Sequence, residues 1–224
     1  MAPRLKKILI TAGPTREMLD PVRFLSNLST GEMGYALAKV AVSEGYQVSL
    51  VSGPTDLKPP PGAKFYAVTS ALQMKKVCAE LFPRHDALIM TAAVCDFMPV
   101  GVGRHKIPSA EGMTLKLKRT PDILESLAKR KGRRVVIGFC LETRDLIRRA
   151  KEKLIRKRLD GIVANFFGAG HIPFGKRRVE VHLVDEAGKV RRIANWSKGQ
   201  VAKTLLHWME RLAQHSLKAS KNLF

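Results

Sequence analysis

Cysteine is scarce in this chain, and acid is scarcer than base. The three cysteines, Cys78, Cys95 and Cys140, form no C-x-x-C pair. An odd, scattered set argues against a disulfide framework and for buried free thiols. The neighbours of Cys140 leave it open to a place beside a site. Asp and Glu number 19 against 40 Lys and Arg, a formal charge of +21. Such an excess favours anionic partners: phosphates, nucleic acid or an acidic membrane surface. It is equally the mark of a solvated basic surface, and it says nothing about fold. Long apolar runs are missing, and none approaches the roughly 18 residues a membrane span needs. The apolar run after Met1–Lys7 is too short for a signal peptide, and no small-residue cleavage pattern follows it. These absences predict a cytoplasmic protein with no membrane partner. Repeats and low-complexity stretches are also lacking. Hydrophobic residues make up 45% of 224, enough for one sizeable core.

Several motifs are missing. The dinucleotide fingerprint G-x-G-x-x-G does not follow the first strand, where only Gly13 and Pro14 stand. The second strand ends Val51-Ser52-Gly53, without the acid that would hold a ribose. No P-loop, HExxH pair, Cys/His cluster or G-x-S-x-G elbow is present. These gaps weigh against NAD(P) enzymes, P-loop NTPases, zinc enzymes and serine hydrolases.

What is present alternates strand with helix, predicting an α/β fold: a Rossmann-like, mostly parallel sheet with helices on both faces. Strands are expected at Lys7–Ala12, Gln47–Val51, Lys64–Thr69, Asp86–Val94, Arg134–Phe139 and Asp160–Ala164. Helices are expected from Gly31 to Glu44, from a Thr69 or Ser70 cap to about Phe82, and from Arg144 to Arg158. Another opens at Pro121, with Thr120 as its cap. Met113–Lys118 alternates apolar and basic, the pattern of a half-exposed strand. Arg178–Val184 and Lys189–Ile193 flank a hairpin turn. Ser197 caps a closing helix whose apolar face is Val201, Leu205, Trp208 and Leu212. The whole of 1–224 reads as one domain, with a projecting flap near 97–119, a C-terminal β-hairpin and a tail that frays after about Gln214.

Four stretches point to chemistry. Thr11–Glu17 closes strand one with Gly13 and Pro14, where ligands of open α/β sheets bind; a simple turn explains it as well. Asp20–Gly34 runs small polar residues into a helix. Ser29, Thr30 and the free N–H groups near Gly31 form a phosphate or carboxylate cradle, and Asn27 supplies amide donors that do not titrate. A plain helix cap accounts for Ser29 and Thr30 but not for the whole block. Asp96 follows the small residues at the end of strand four. It is suited to a ribose, to magnesium through water, or to capping a loop. Lys153 and Lys157 are four apart and share a helix face, able to address one polyphosphate or simply to be solvated.

The Asp20–Gly34 block, preceded by T-A-G-P-T-R-E, resembles the phosphopantothenate–cysteine ligase family. The likeness continues in family order through Ala92–Phe97, His105–Ile107, Pro121–Leu124, Gly138–Thr143, Lys153–Lys157, Asp160–Asn165, Phe174-Gly175 and Ser197-Lys198. The bacterial type is often the second half of a bifunctional decarboxylase–ligase. The resemblance implies a homodimer, with a decarboxylase as a possible separate partner. It also implies a bacterial-type reaction: CTP and 4'-phosphopantothenate form an acyl-cytidylate with loss of pyrophosphate, cysteine's amine displaces CMP, and Mg2+ assists. It assigns Asn27 to onward reaction of the acyl-cytidylate, Arg23 to substrate positioning, and Lys106 on the flap to the reacting phosphate. Gly13, Ala92, Asp96, Pro121, Asp122, Ile123, Phe139, Lys153 and Lys157 match the nucleotide pocket, with Phe139 near the base. Ser29, Thr30 and Gly31 match the substrate-phosphate cradle. No side-chain nucleophile is required, in keeping with the absent triad.

The chain departs from the family pattern in places. G-K-M-G reads Gly31-Glu32-Met33-Gly34, and K-I-K-K reads Lys106-Ile107-Pro108-Ser109. N-P-D-I begins with Thr120, and Lys176-Arg177-Arg178 follows Phe174-Gly175. These changes bear on the flap and on the choice of CTP over ATP. Two other readings stay open: a basic nucleic-acid-binding module on a degenerate ligase fold, and an NAD(P) reductase. The former has no recognisable nucleic-acid motif, and the latter lacks its glycines and its ribose acid.

Overall fold

The chain is described by a computed structural model covering residues 5–108, 112–168, 172–175 and 178–221, with side chains through Gln214. The first strand, β1 (Lys7–Ala12), is buried at every position but its first. A strand apolar on both faces needs cover on both sides, which is the condition for a central parallel strand. Parallel to it lie β4 (Gln47–Ser52), β5 (Lys64–Ala67), β6 (Ala87–Met90), β9 (Val135–Glu142) and β10 (Gly161–Phe166). An antiparallel pair, β11 (Val179–Asp185) and β12 (Val190–Trp196), completes the sheet in the order β12-β11-β10-β9-β6-β1-β4-β5.

Helix α1 (Glu32–Ser43) and helix α5 (Lys198–Lys221) cover one face of the sheet. Leu37, Ala38 and Ala41 from the first meet Val201, Leu205 and Trp208 from the second. Helices α2 (Ala71–Leu81), α3 (Ile123–Ala128) and α4 (Leu146–Arg156) cover the other with Met74, Cys78, Ile123, Leu127, Ala150 and Leu154. The expected layering is therefore present. Ser70 caps α2 in a full capping box with Gln73. Ser197 does the same for α5, its Oγ accepting from Gln200 N at 3.3 Å while Gln200 Oε1 accepts from Ser197 N at 3.0 Å.

The structure moves several boundaries. The strand expected over Asp86–Val94 stops at Met90, because beyond it the backbone leaves the ladder to bond Gly13 and Thr15. The cap of α3 is Asp122, not Thr120. The Asp122 carboxylate accepts from Glu125 N at 3.0 Å, whereas the Thr120 hydroxyl donates to the Cys95 carbonyl. Of the alternating run Met113–Lys118, only its end falls in β8 (Leu117–Arg119), which pairs with β7 (Phe97–Pro99) to form the flap's base. Met113 and Leu115 are exposed, so no packing enforces the alternation. Helix α5 passes Gln214 and continues to Lys221. A small hairpin, β2 (Arg16–Met18) with β3 (Phe24–Ser26), has no counterpart in the sequence pattern. Both strands are too short to show a period. Ser109 lies outside the described residues, as do Lys176 and Arg177.

The C-terminal ends of β1 and β6 matter most. From β1 the chain builds outward through β4 and β5 on one side. From β6 it builds through β9 and β10 on the other. Such a reversal opens a crevice beyond the strand ends. Helix α1 reaches this crevice only because Gly34 has no side chain. A Cβ there would stand 2.5 Å from Ala12 Cβ and 2.6 Å from Thr91 Oγ1. Gly34→Ala should therefore cost about 1–3 kcal/mol by overpacking, despite the better helix propensity of Ala. Thermal denaturation checks this, the expected fall in Tm being roughly 3–10 °C for a domain of this size.

Candidate functional site

A cleft of about 870 Å³ lies over this crevice. One wall is the stretch from Ser26 to Gly34, and the other is built from Ala92–Phe97, Thr120–Leu124 and Phe139–Leu141. Lys153 of α4, Lys157 at its C-cap, Asn165 of β10, Phe174 and Lys198 close it. Of the residues singled out from sequence, Asn27, Ser29, Thr30, Gly31, Ala92, Asp96, Pro121, Asp122, Ile123, Phe139, Lys153 and Lys157 line this cleft. Gly13, Arg23 and Lys106 do not.

Gly13 lies beneath the floor. It has φ +71°, and a Cβ on it would meet Gly53 O at 2.9 Å. Gly31, at φ +79°, packs against Gly13 from above. The two left-handed glycines let the start of α1 sit directly on the β1 turn. Ser29 Oγ accepts from Gly31 N at 3.3 Å, so part of the cradle is already internally bonded.

Asn27 is held against the opposite wall. Its Nδ2 donates to Ala93 O at 2.9 Å and approaches Cys95 Sγ at 3.7 Å. The bond to Ala93 O fixes which end of the amide is nitrogen, since a carbonyl can only accept. Cys95 is buried, and burial raises its pKa. Burial likewise pushes the Cys140 thiol up to about 11 and Cys78 up to about 12. All three are free thiols, as the sequence suggested. At neutral pH none is a thiolate, so none is an activated nucleophile.

Lys157 and Asp122 form an ion pair at 2.6 Å, the lysine side chain being 11% exposed and the carboxylate 39%. Burial favours the neutral acid at Asp122. The Lys157 ammonium, the Glu125 N–H and the charge of Arg156 outweigh it and hold the carboxyl below its ordinary value. Lys153 has no ion pair among the described residues. Together they give this wall one balanced cation and one unbalanced one.

Two cleft residues carried no role in the sequence reading. The Oδ1 of Asn165 is buried with no hydrogen-bond partner among the described residues. A buried acceptor left open in a cleft is open to a ligand donor. Its signal in the sequence is its place just after the apolar run Gly161–Ala164, at a strand's C-terminal end. Lys198 Nζ pairs with Glu32 at 2.7 Å and also donates to Gly175 O. It ties α5, the first turn of α1 and the Phe174-Gly175 segment together. Glu32, where the ligase pattern has lysine, is thereby neutralised beside the cradle.

Arg23 and Lys106 belong to the flap's anchorage. Asp20 is fully buried, and its carboxylate accepts from Val22 N and Arg23 N at 2.8 Å and from Ile107 N at 3.1 Å. The Arg23 guanidinium pairs with it at 2.7 Å and donates to Ile107 O. Lys106, next in the chain, is exposed. Arg23 therefore ties the flap to the turn that follows β2 and does not line the cleft. Among the described residues no cluster of three or more His, Cys, Asp or Glu is arranged to hold a metal ion.

The comparisons agree with this geometry. Residues 4–212 match the family described as the DNA/pantothenate metabolism flavoprotein C-terminal domain. The coenzyme A biosynthesis bifunctional protein CoaBC of Bacillus subtilis is 43% identical over 213 residues, which are 94% of this chain and 52% of that protein. The chain thus spans about half the length of the curated relatives it matches. The crystal structure of the C-terminal domain of a CoaBC bifunctional protein superposes with TM-score 0.82 at 38% identity, covering 96% of this chain and 98% of that one. A Cab2 mutant in complex with phosphopantothenate-cysteine shares the fold, with TM-score 0.77 at 18% identity, covering 94% of this chain and 88% of that one. With the cleft at the strand crossover, the glycine-seated α1 and a family match over nearly the whole chain, this protein belongs to the DNA/pantothenate metabolism flavoprotein C-terminal domain family.

Proposed function

We propose that the cleft joins 4'-phosphopantothenate to L-cysteine as a step of coenzyme A biosynthesis, with CTP as the activating nucleotide. The observation that carries this is the gathering of Asn27, the Asp122–Lys157 pair, unpaired Lys153 and orphaned Asn165 around one crevice. Sequence and fold relatives named for this pathway support it.

In the first step a carboxylate oxygen of 4'-phosphopantothenate attacks the α-phosphorus of CTP. The bond to the β-phosphate bridge breaks, and pyrophosphate leaves with an acyl-cytidylate formed. Lys153, and Lys157 once shared between Asp122 and ligand, offset charge on the phosphates. Lys106 reaches the reacting phosphate when the flap closes. In the second step cysteine's amine attacks the acyl carbon. The amide bond forms, CMP departs with the electron pair, and the ammonium loses its proton. The amide of Asn27 has two N–H groups. One is on Ala93 O, and the other, whose partner here is the weak acceptor Cys95 Sγ at 3.7 Å, can turn to the acyl oxygen where charge builds. Asn165 Oδ1 can accept from the exocyclic amine of a base packed near Phe139. Mg2+ would be carried in on the nucleotide's phosphates, and Asp96 in the cleft lining would reach it through a bridging water. A homodimer, a separate decarboxylase that supplies the next step, and a cytoplasmic location complete the reading. Among the described residues no helix is long and apolar enough to cross a membrane.

The direct test is pyrophosphate release with CTP or ATP, 4'-phosphopantothenate and Mg2+, with and without cysteine. The expected result is release that requires phosphopantothenate and prefers CTP. Release without phosphopantothenate, or none with either nucleotide, sinks the reading.

A further inference from the structure

The cleft leaves most of the +21 charge unexplained. Part of it collects at the opposite end of the sheet. Strands β9, β6 and β1 are neighbours, and each begins with cations: Arg133 and Arg134 before β9, Arg84 before β6, Lys6 and Lys7 at β1. These residues line a recess of about 680 Å³ together with His85 and Asp86. Sheet geometry puts this edge ~17 Å from the cleft end of β1, and spaces successive strand starts by ~4.8 Å. The cations therefore stand in a row.

The one acid in the recess, Asp86, forms no ion pair with them among the described residues and offsets a single charge. Asp86 Oδ2 accepts from the backbone N–H of Lys6 and of Lys7, both at 2.8 Å. Arg134 is held in place, donating to the carbonyls of His85, Lys131 and Pro83 over the Phe82 ring. Lys6, Lys7, Arg84 and Arg133 are exposed, and none has an ion pair among the described residues. Helix dipoles explain some of the basic residues here, since α2 and α3 end at this edge and favour cations. They do not explain Lys6, Lys7 or Arg133, which cap no helix.

We propose that this row is a second binding site, for the phosphate backbone of a nucleic acid, read without regard to sequence. It stands independently of the ligase reading. A protein partner would require apolar or aromatic anchors, and none of the exposed large hydrophobic residues lies in this recess. A stacking platform for bases is likewise missing there, since Phe82 is buried under Arg134. What remains is a line of cations able to match a line of phosphodiesters.

The test uses the full chain and a fluorescent random-sequence 20-mer duplex at about 150 mM salt. It compares two variants that each lower the formal charge from +21 to +17, by 21 − 4. One carries Lys6→Gln, Lys7→Gln, Arg84→Gln and Arg133→Gln. The other carries Lys39→Gln, Lys58→Gln, Lys75→Gln and Lys76→Gln, exposed lysines elsewhere. The expected result is a drop of at least ~30-fold in affinity for the first and less than ~3-fold for the second. The dependence of log K on log salt should become shallower by about 3–4 in the first only, one for each phosphate no longer neutralised. Pyrophosphate release should be unchanged in both. Equal drops in the two variants, or no binding by the unaltered protein, overturn the site. Competition by inorganic polyphosphate or polyglutamate that displaces the duplex at lower charge concentration than nucleic acid itself overturns the assignment to nucleic acid.

Discussion

Asn27→Asp should cut product formation by about 10²–10³-fold, the usual cost of removing a donor aimed at a developing oxyanion. Acyl-cytidylate should accumulate in its place. The substitution removes the donor that Ala93 O accepts at 2.9 Å and sets a carboxylate oxygen against that carbonyl. It also brings negative charge to the acyl group just when that group is gaining its own. Activation should be less affected, because in the proposed reaction the phosphates fall to Lys153 and Lys157, which line the cleft apart from Asn27. Quench-flow with chromatographic detection of the cytidylate separates the two steps. Asn27→Ala removes the donor without adding charge and should show the same accumulation. If both variants form product at the normal rate, Asn27 has no part in the second step.

The layers of this fold were legible because the parallel strands are apolar on both faces. A run such as Ile8-Leu9-Ile10 cannot sit anywhere but in the middle of a covered sheet. The helices of both layers carry a 3.6-residue apolar stripe, and Val201, Leu205, Trp208 and Leu212 are buried as that stripe required. The cleft walls were readable because small residues and caps cluster where strands end. Legibility failed where stability comes from single polar groups at long range. Nothing in the local pattern of Asp20 shows that its carboxylate bonds a backbone amide 87 residues away. Nothing around Lys198 shows that it meets Glu32, 166 residues distant. The β2–β3 hairpin has the same origin: its strands are three residues long, and its turn is organised by the Asp20 carboxylate. Family likeness assigns Arg23 to substrate positioning, but nothing in its local pattern shows that it is pinned between Asp20 and the Ile107 carbonyl.

Asp20→Ala should lower the rate of activation by about 10²-fold, the scale on which a misplacement of about 1 Å slows a positioned reaction. Asp20 touches no part of the cleft. Its carboxylate holds Ile107 N at 3.1 Å and the Arg23 guanidinium at 2.7 Å, and Arg23 in turn bonds Ile107 O. Gly103 N donates to Leu19 O at 2.9 Å on the same anchorage. Lys106 lies within this pinned stretch, so its reach is set by Asp20. Without the carboxylate, the amides of Val22, Arg23 and Ile107 lose their acceptor together, and the flap's near end is released. A role through Lys106 makes a specific demand. In a double-mutant cycle Asp20→Ala should add little to the defect already caused by Lys106→Ala, since the second residue carries the effect of the first. Fully additive defects would mean that Asp20 supports the fold in general and not the flap lysine. The pH dependence sharpens the test. Burial raises the Asp20 pKa, but the three backbone amides and Arg23 outweigh it and hold the carboxyl far below the ordinary carboxylate range. A depressed folded value means the anchorage is at full strength above the unfolded pKa of about 3.8, and is lost only as pH falls through the lower folded value. A decline in the unaltered protein's proposed activity between about pH 7 and pH 5 would therefore belong to other groups. The Asp20→Ala variant should keep that same acid limb at a uniformly lower rate.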